Sequence, residues 1–206
     1  MPESSEIDRY RAQLQATLME FEGVEGFSEE AWEAARDMFQ IRRFDKNEAL
    51  VNASEPGRYI FFLCSGLVRL FYETESAKQF NKSFAWEDMF VAGALNPAGA
   101  DGTSGNEYGI EALEPVTALA ISLRDFGRLL ATAPDWAGFR DAYIRWLADR
   151  KARRERQLLL ESAEERYRGF LKDFPEAAGR IPQYHIALYL GITDVALSRI
   201  KKRAGI

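Results

Sequence analysis

The segment from Ile181 to Arg203 constrains this chain most, because its apolar residues form two short helical stripes that meet at Gly191-Ile192-Thr193, the pattern of a helix-turn-helix. Pro182 suits a first helical turn, where a missing N–H costs nothing. Ile186, Ala187 and Leu190 then share one face, with Ala187 small enough for a second helix to cross closely. Gly191 admits the left-handed conformation that ends a helix, and Thr193 is placed to cap the next one. On that second helix Ala196, Leu197 and Ile200 face inward, which turns Asp194, Val195, Ser198, Arg199, Lys201 and Lys202 outward. From Gly179 onward five Lys or Arg stand against one acidic residue, in a chain whose net charge is −5. Such a local reversal of charge suits a phosphate-binding face. The pattern by itself also fits a helical hairpin with a solvated basic end, so the remainder of the chain decides between the two.

At 206 residues, with 47% hydrophobic and 13% aromatic content, the chain reads as a globular protein of one or two domains. No apolar run reaches the length of a membrane span, and Met1 to Glu30 lacks the basic-then-apolar pattern of a signal peptide. A cytoplasmic protein with no membrane contact is therefore expected. One cysteine, Cys64, and one histidine, His185, leave no material for an internal disulfide or for the usual thiolate and multi-histidine metal sites. Cys64 lies in a predicted strand and reads as a buried small hydrophobe. With no paired His and Ser or Cys and no phosphate loop, the chain is expected not to be an enzyme. Charge is divided unevenly: residues 1–40 carry ten acids against three bases, while basic residues gather at Arg145–Arg156 and at the C-terminus. The acidic sum therefore does not argue against nucleic acid, since the local field is what matters.

Two helices, about residues 6–22 and 28–39, open the chain, the second beginning at Ser28. From Arg42 to Ile121 β-branched and aromatic residues dominate, cut by turn signals at Glu55-Pro56-Gly57, Ser65-Gly66 and Asn96–Gly105. Tyr59–Cys64 and Leu67–Tyr72 read as a hairpin about Ser65-Gly66. Ala77–Ala85, Glu107–Leu113 and Val116–Ser122 read as further strands, the last two joined at Glu114-Pro115. Short strands at this spacing predict an antiparallel sandwich or roll. After Leu123 the pattern is helical: a short helix to about 131, then one capped by Asp135 and running to Glu161, roughly 40 Å. Trp136, Phe139, Tyr143 and Leu147 stripe that helix, and its length predicts pairing with a second copy. Ser162 to Glu165 forms a capping box for a helix whose face is Tyr167, Phe170, Leu171 and Phe174. The fold class is α+β in three parts: residues 1–133 an antiparallel β-roll with N-terminal helices, 134–161 a long dimerisation helix, and 162–206 the helix-turn-helix domain.

In order and spacing, Tyr59-Ile60-Phe61-Phe62-Leu63-Cys64-Ser65-Gly66-Leu67-Val68-Arg69, Ile110-Glu111-Ala112-Leu113-Glu114-Pro115, the long helix, Ser162-Ala163-Glu164-Glu165-Arg166-Tyr167 and Leu197-Ser198-Arg199-Ile200 resemble the Crp/Fnr superfamily of transcriptional regulators, over about residues 25–203. The resemblance implies a cyclic-nucleotide-binding-like β-roll of the jelly-roll (double-stranded β-helix) type. It also implies a homodimer that reads double-stranded DNA, with RNA polymerase as a further partner. Members that bind cyclic nucleotides hold the phosphate with a Gly-Glu turn and a later Arg-Ser or Arg-Thr pair. Val91-Ala92 and Asn106-Glu107 stand at those places here. No Arg lies between Arg69 and Arg124, and Lys78 and Lys82 are set against eight acids from Glu73 to Glu114. A cyclic phosphate needs a cation and suffers beside a carboxylate, so no cofactor, and cyclic nucleotide least of all, is expected. The chain also stops at Ile206, where most members continue into a wing or strand pair, which implies fewer backbone contacts to DNA.

Arg199 matches a family arginine that contacts guanine, a bidentate contact worth about 1–3 kcal/mol of discrimination. Ser198, Thr193 and Asp194 are expected beside it, with Lys201, Lys202 and Arg203 on phosphates, helped by Gln183 and Tyr184 near the first helix's start. Asp194 and Val195 differ from the residues of the best-known members, so the operator should differ too. An effector, if the roll takes one, is expected among Phe80, Phe84, Trp86 and Phe90 with Asn106 and Glu107, although core packing accounts for the same four rings. The competing class is a small-molecule- or protein-binding module with a vestigial DNA-binding domain, which the short end and Asp194 favour.

Overall fold

In chain order the strands are β1 (Gln40–Phe44), β2 (Ala49–Val51), β3 (Tyr59–Ser65), β4 (Val68–Glu73), β5 (Gln79–Ala85), β6 (Phe90–Ala92), β7 (Gly109–Ala112) and β8 (Val116–Ser122), in a computed structural model that describes residues 2–24, 26–53, 55–93 and 107–204. They pair antiparallel as two four-stranded sheets, β1-β8-β3-β6 and β2-β7-β4-β5. The central strands β3 and β8 are apolar on both faces because both faces are covered. Ile60, Phe62, Cys64, Leu119 and Ile121 meet helices, while Phe61, Leu63, Ala118 and Ala120 meet the second sheet.

The expected hairpin about Ser65-Gly66 does not form. β3 and β4 lie in different sheets, and Ser65-Gly66 carries the chain from one to the other. The two-sided burial of Tyr59–Ser65 already argues against a simple hairpin strand with one solvated face. Gly66 takes φ +97°, and a Cβ there would lie 2.5 Å from the Pro115 carbonyl oxygen, so only glycine fits. Glu114-Pro115 makes the reverse crossing from β7 to β8, and the two corners nest, with Leu113 N–H donating to the Leu67 carbonyl at 2.8 Å.

Helix α1 (Pro2–Glu20), the short α2 (Glu29–Glu33) and the start of α4 (Pro134–Leu160) cover the outer face of the first sheet through Leu14, Leu18, Trp32, Trp136 and Phe139, with α3 (Leu123–Thr132) alongside. The predicted helix over 28–39 is cut to α2 and a 3₁₀ turn at Arg36–Met38, because Phe39 is already extended (φ −86°, ψ 127°) to enter β1. Asp135 is not the cap of α4. Ala133 holds that place with Pro134 at the first helical position, and the Asp135 carboxylate instead accepts from the Ser28 N–H (2.8 Å) and hydroxyl (2.5 Å).

Three of the four residues expected to face a partner copy face their own roll. Trp136 and Phe139 are buried in the protomer's core. The Tyr143 hydroxyl accepts from the Phe90 N–H (3.0 Å) and donates to the Phe90 carbonyl (2.9 Å). Leu147 remains accessible, as do Ile144 and Leu158–Leu160. Past Tyr143, Arg150 of α4 packs on Trp146, Trp86 and Phe174, and Arg154 lies over Tyr189.

Helices α5 (Ala163–Asp173), α6 (Gln183–Leu190) and α7 (Asp194–Ala204) follow, α6 packing on β5 of the second sheet and α5 and α7 packing on α6. The capping box that opens α5 is formed: Ser162 Oγ accepts from Glu165 N–H, and the Glu165 carboxylate accepts from Ser162 N–H. No helix among the described residues is long and apolar enough to cross a membrane.

Candidate nucleic-acid interface

The corner between α6 and α7 has the geometry its sequence calls for. Gly191 is left-handed (φ +69°, ψ 34°), and Ile192 N–H returns to the Ala187 carbonyl at 3.1 Å. Thr193 Oγ1 accepts from Ala196 N–H at 3.2 Å, capping α7. Leu197 and Ile200 are buried against α5 and α6 residues, which turns the opposite side of α7 to solvent. That side carries Asp194, Val195, Ser198, Arg199, Lys202 and Arg203, with Lys201 half-buried at its margin. Among the described residues, Arg199, Lys202 and Arg203 form no ion pair. Thr193, Gln183 and Tyr184 are exposed beside this surface, and the Tyr184 ring lies 4.0 Å from that of His185. Asp194 stands in the first turn of α7, where a carboxylate favours the positive helix end, and Lys201–Arg203 complement the other end.

His185 is not available to a phosphate. It is buried against β5, where Asn81 Nδ2 donates to the His185 carbonyl (2.9 Å) and lies 3.2 Å from Nδ1. Burial, reinforced by the Arg69 guanidinium, pushes the imidazole pKa down to about 4. Arg69 is itself buried on this outer face, donating to Glu111 (2.8 Å), Gln79 (2.7 Å) and Asn81 (3.3 Å). Arg180, just before α6, donates two bonds to Glu87 (2.8 and 2.9 Å) and others to Glu114. Glu87 also accepts from Gly66 N–H at 2.7 Å, so the nested corners of the roll form the acidic seat for Arg180. Burial alone would raise the Glu87 pKa, but these bonds hold it below the usual value. Sequence reading missed Asn81, Arg180 and Arg69, and the signal available was thin: a polar residue inside a strand, and single arginines bordering apolar runs.

Among the described residues, the four rings expected to line a pocket in the roll are not gathered into one. Phe84 is buried among Phe170, Phe174 and Tyr189, and Trp86 packs on Phe174, so both serve the junction with the helical domain. Phe90 packs among Phe62, Phe139 and Tyr143. Only Phe80 of the four is exposed; Glu107 is exposed too, and Asn106 lies outside the described residues. Val91 and Ala92 are committed to β6, in register with Phe61 and Ile60, and Arg69 is held on the opposite face of its sheet. Cys64 is buried, and burial pushes its thiol up to about 12, which leaves it unreactive.

The family model described as cyclic nucleotide-binding domain matches residues 41–133. No curated protein sequence matches the chain. Among solved structures, FixK2 from Bradyrhizobium japonicum is similar with a TM-score of 0.69 at 16% identity, over 81% of this chain and 84% of that one. The c-di-GMP-responsive global regulator CLP from Xanthomonas campestris gives 0.66 at 15%, over 86% and 92%. A CooA variant from Carboxydothermus hydrogenoformans gives 0.63 at 20%, over 82% and 79%. Residues 41–133 thus match the cyclic nucleotide-binding domain model, and the chain shares the fold of these solved structures over most of its length.

Proposed function

We propose that this protein is a homodimeric, sequence-specific DNA-binding regulator of transcription whose roll is not governed by a cyclic nucleotide. One observation carries the reading: α7 buries Leu197 and Ile200 and presents Ser198, Arg199, Lys202 and Arg203 together on a single accessible side. In this docking mode such a side enters the major groove, with base edges read near Arg199 and phosphates held by the basic end. Two copies related by a two-fold axis read half-sites about one DNA turn apart. Of the side chains on α4, Ile144, Leu147 and Leu158 are exposed and fall within about 60° of one another at 100° per residue, a narrow apolar line suited to a second copy. RNA polymerase, where the regulator sits at a promoter, is the further partner this role entails.

Fluorescence anisotropy on a labelled duplex across a salt series tests the reading. Lys202→Ala should weaken binding to every duplex alike and reduce the slope of log affinity against log salt by about one. A slope unchanged by that substitution removes Lys202 from the interface. No measurable affinity at low salt removes DNA binding altogether.

A further inference from the structure

The helical domain meets the roll through two kinds of contact with different physical consequences. One is apolar: Phe174, with Phe170 and Tyr189 beside it, packs on Phe84 and Trp86. Apolar attraction is non-directional, so it holds the two parts together without fixing the angle between them. The other is polar and directional. The Arg180 guanidinium forks onto both oxygens of Glu87 (2.8 and 2.9 Å) and reaches Glu114 as well. A planar bidentate pair of this kind adds geometric specificity to its attraction.

Both ends of this bridge are anchored. On the roll side, the Glu87 carboxylate is tied to the Gly66 N–H at 2.7 Å, at a corner where any Cβ would strike the Pro115 carbonyl. Glu114 precedes that same proline in the nested corner. On the helical side, Arg180 N–H donates to the Ala177 carbonyl at 2.9 Å, and both Ala177 and Ile181 are buried. A few residues on, His185 of α6 makes a second directional contact, with Asn81 of β5. Two separated directional contacts fix an orientation where one would leave a pivot. The setting of α6 passes to α7 through the Gly191 corner and through Leu197 and Ile200, buried at its base. Arg180 itself is committed to two carboxylates of the roll, whereas Arg199, Lys202 and Arg203 of α7 form no ion pair among the described residues.

We infer that Arg180 is a positioning residue of the DNA-reading unit: clamped on Glu87 and Glu114, it fixes the angle of α7 relative to the roll, and with it the separation of the two reading helices in a dimer. The consequence for DNA rests on the function proposed above. The clamp does not, and a measurement without DNA tests it.

Spin labels on Glu75→Cys of the roll and Val195→Cys of α7, both exposed positions, report the distance between the two parts by pulsed dipolar spectroscopy. The labelled full chain is diluted into unlabelled chain, and native Cys64 is buried away from the label. A single narrow distance is expected with Arg180 and Glu87 in place, and a broadened or shifted one in Arg180→Gln and in Glu87→Gln. The double variant should be no worse than either, since both remove the same contact. Far-ultraviolet circular dichroism should stay unchanged, because the packing around Phe174 remains. The second readout is affinity for duplexes, selected from random DNA, that carry one half-site or two. Linked sites reinforce each other only when both can be engaged at once, so Arg180→Gln should weaken the two-site complex about tenfold and the one-site complex less than about threefold. A distance unchanged in both variants overturns the clamp. A changed distance with both complexes weakened equally overturns the positioning role. A wild-type chain that binds neither duplex refutes DNA binding and with it the spacing role, while the distance alone then decides the clamp.

Discussion

At the scale of single residues, His185 shows how position decides a role that residue type leaves open. On a helix-turn-helix it stands where a phosphate contact is conceivable, yet its carbonyl and ring both engage Asn81 across the junction with β5. Its pH dependence follows from that. The folded pKa of about 4 lies below the usual 6.5, so as the pH falls the unfolded chain takes up the proton first. Stability is complete above about pH 6.5 and is lost progressively toward pH 4, by about 1–2 kcal/mol between pH 7.5 and 5.0 after discounting for solvent screening. Glu87, whose pKa is held low, adds to the loss only as the pH falls below the ordinary carboxylate range near 4.5. Thermal unfolding at pH 7.5 and 5.0 measures this, and His185→Gln should flatten the difference. An equal drop in wild type and variant places the acid sensitivity elsewhere.

At the scale of elements, the helix-turn-helix was legible in the sequence down to its caps, because Gly191 and Thr193 act through local backbone geometry that neighbouring residues alone determine. The capping box at Ser162 was legible for the same reason. What depends on distant partners was not. Ser65-Gly66 has the composition of a hairpin turn, and only its contact with Pro115 makes it a corner between sheets. The stripe Trp136, Phe139 and Tyr143 has the spacing of an interface helix, but periodicity cannot tell a partner copy from the chain's own roll. Phe84 and Trp86 likewise read as pocket or core until the helical domain is seen to cover them. That cover is an apolar junction with Phe174 at its centre, fully buried against Phe84, Trp86, Phe170 and Tyr189. Phe174→Ala should destabilise the protein by about 3–5 kcal/mol. Chemical denaturation with probes in the roll and in the helical domain should show both transitions moving together. A loss confined to the helical domain would mean that the two parts unfold separately.

At the scale of the whole molecule, α1, from the acidic N-terminal region, packs on β3 of the first sheet, while α6, which carries α7, packs on β5 of the second. The same arrangement leaves Ile144, Leu147 and Leu158 on α4 without cover from the chain. If α4 is the dimer seam, Leu147→Glu should shift the sedimentation equilibrium toward monomer at micromolar concentration while leaving the far-ultraviolet circular dichroism unchanged. A dimer that persists through this change uses another surface. Sequence-specific recognition by two related copies is the central claim, and selection of bound duplexes from random DNA by the purified protein at two salt concentrations, with Arg199→Ala in parallel, tests it most directly. The account predicts an enriched palindrome with half-sites about one DNA turn apart, its sequence preference relaxed in the variant. No enrichment at either salt, or the same enriched sequence with and without Arg199, contradicts it.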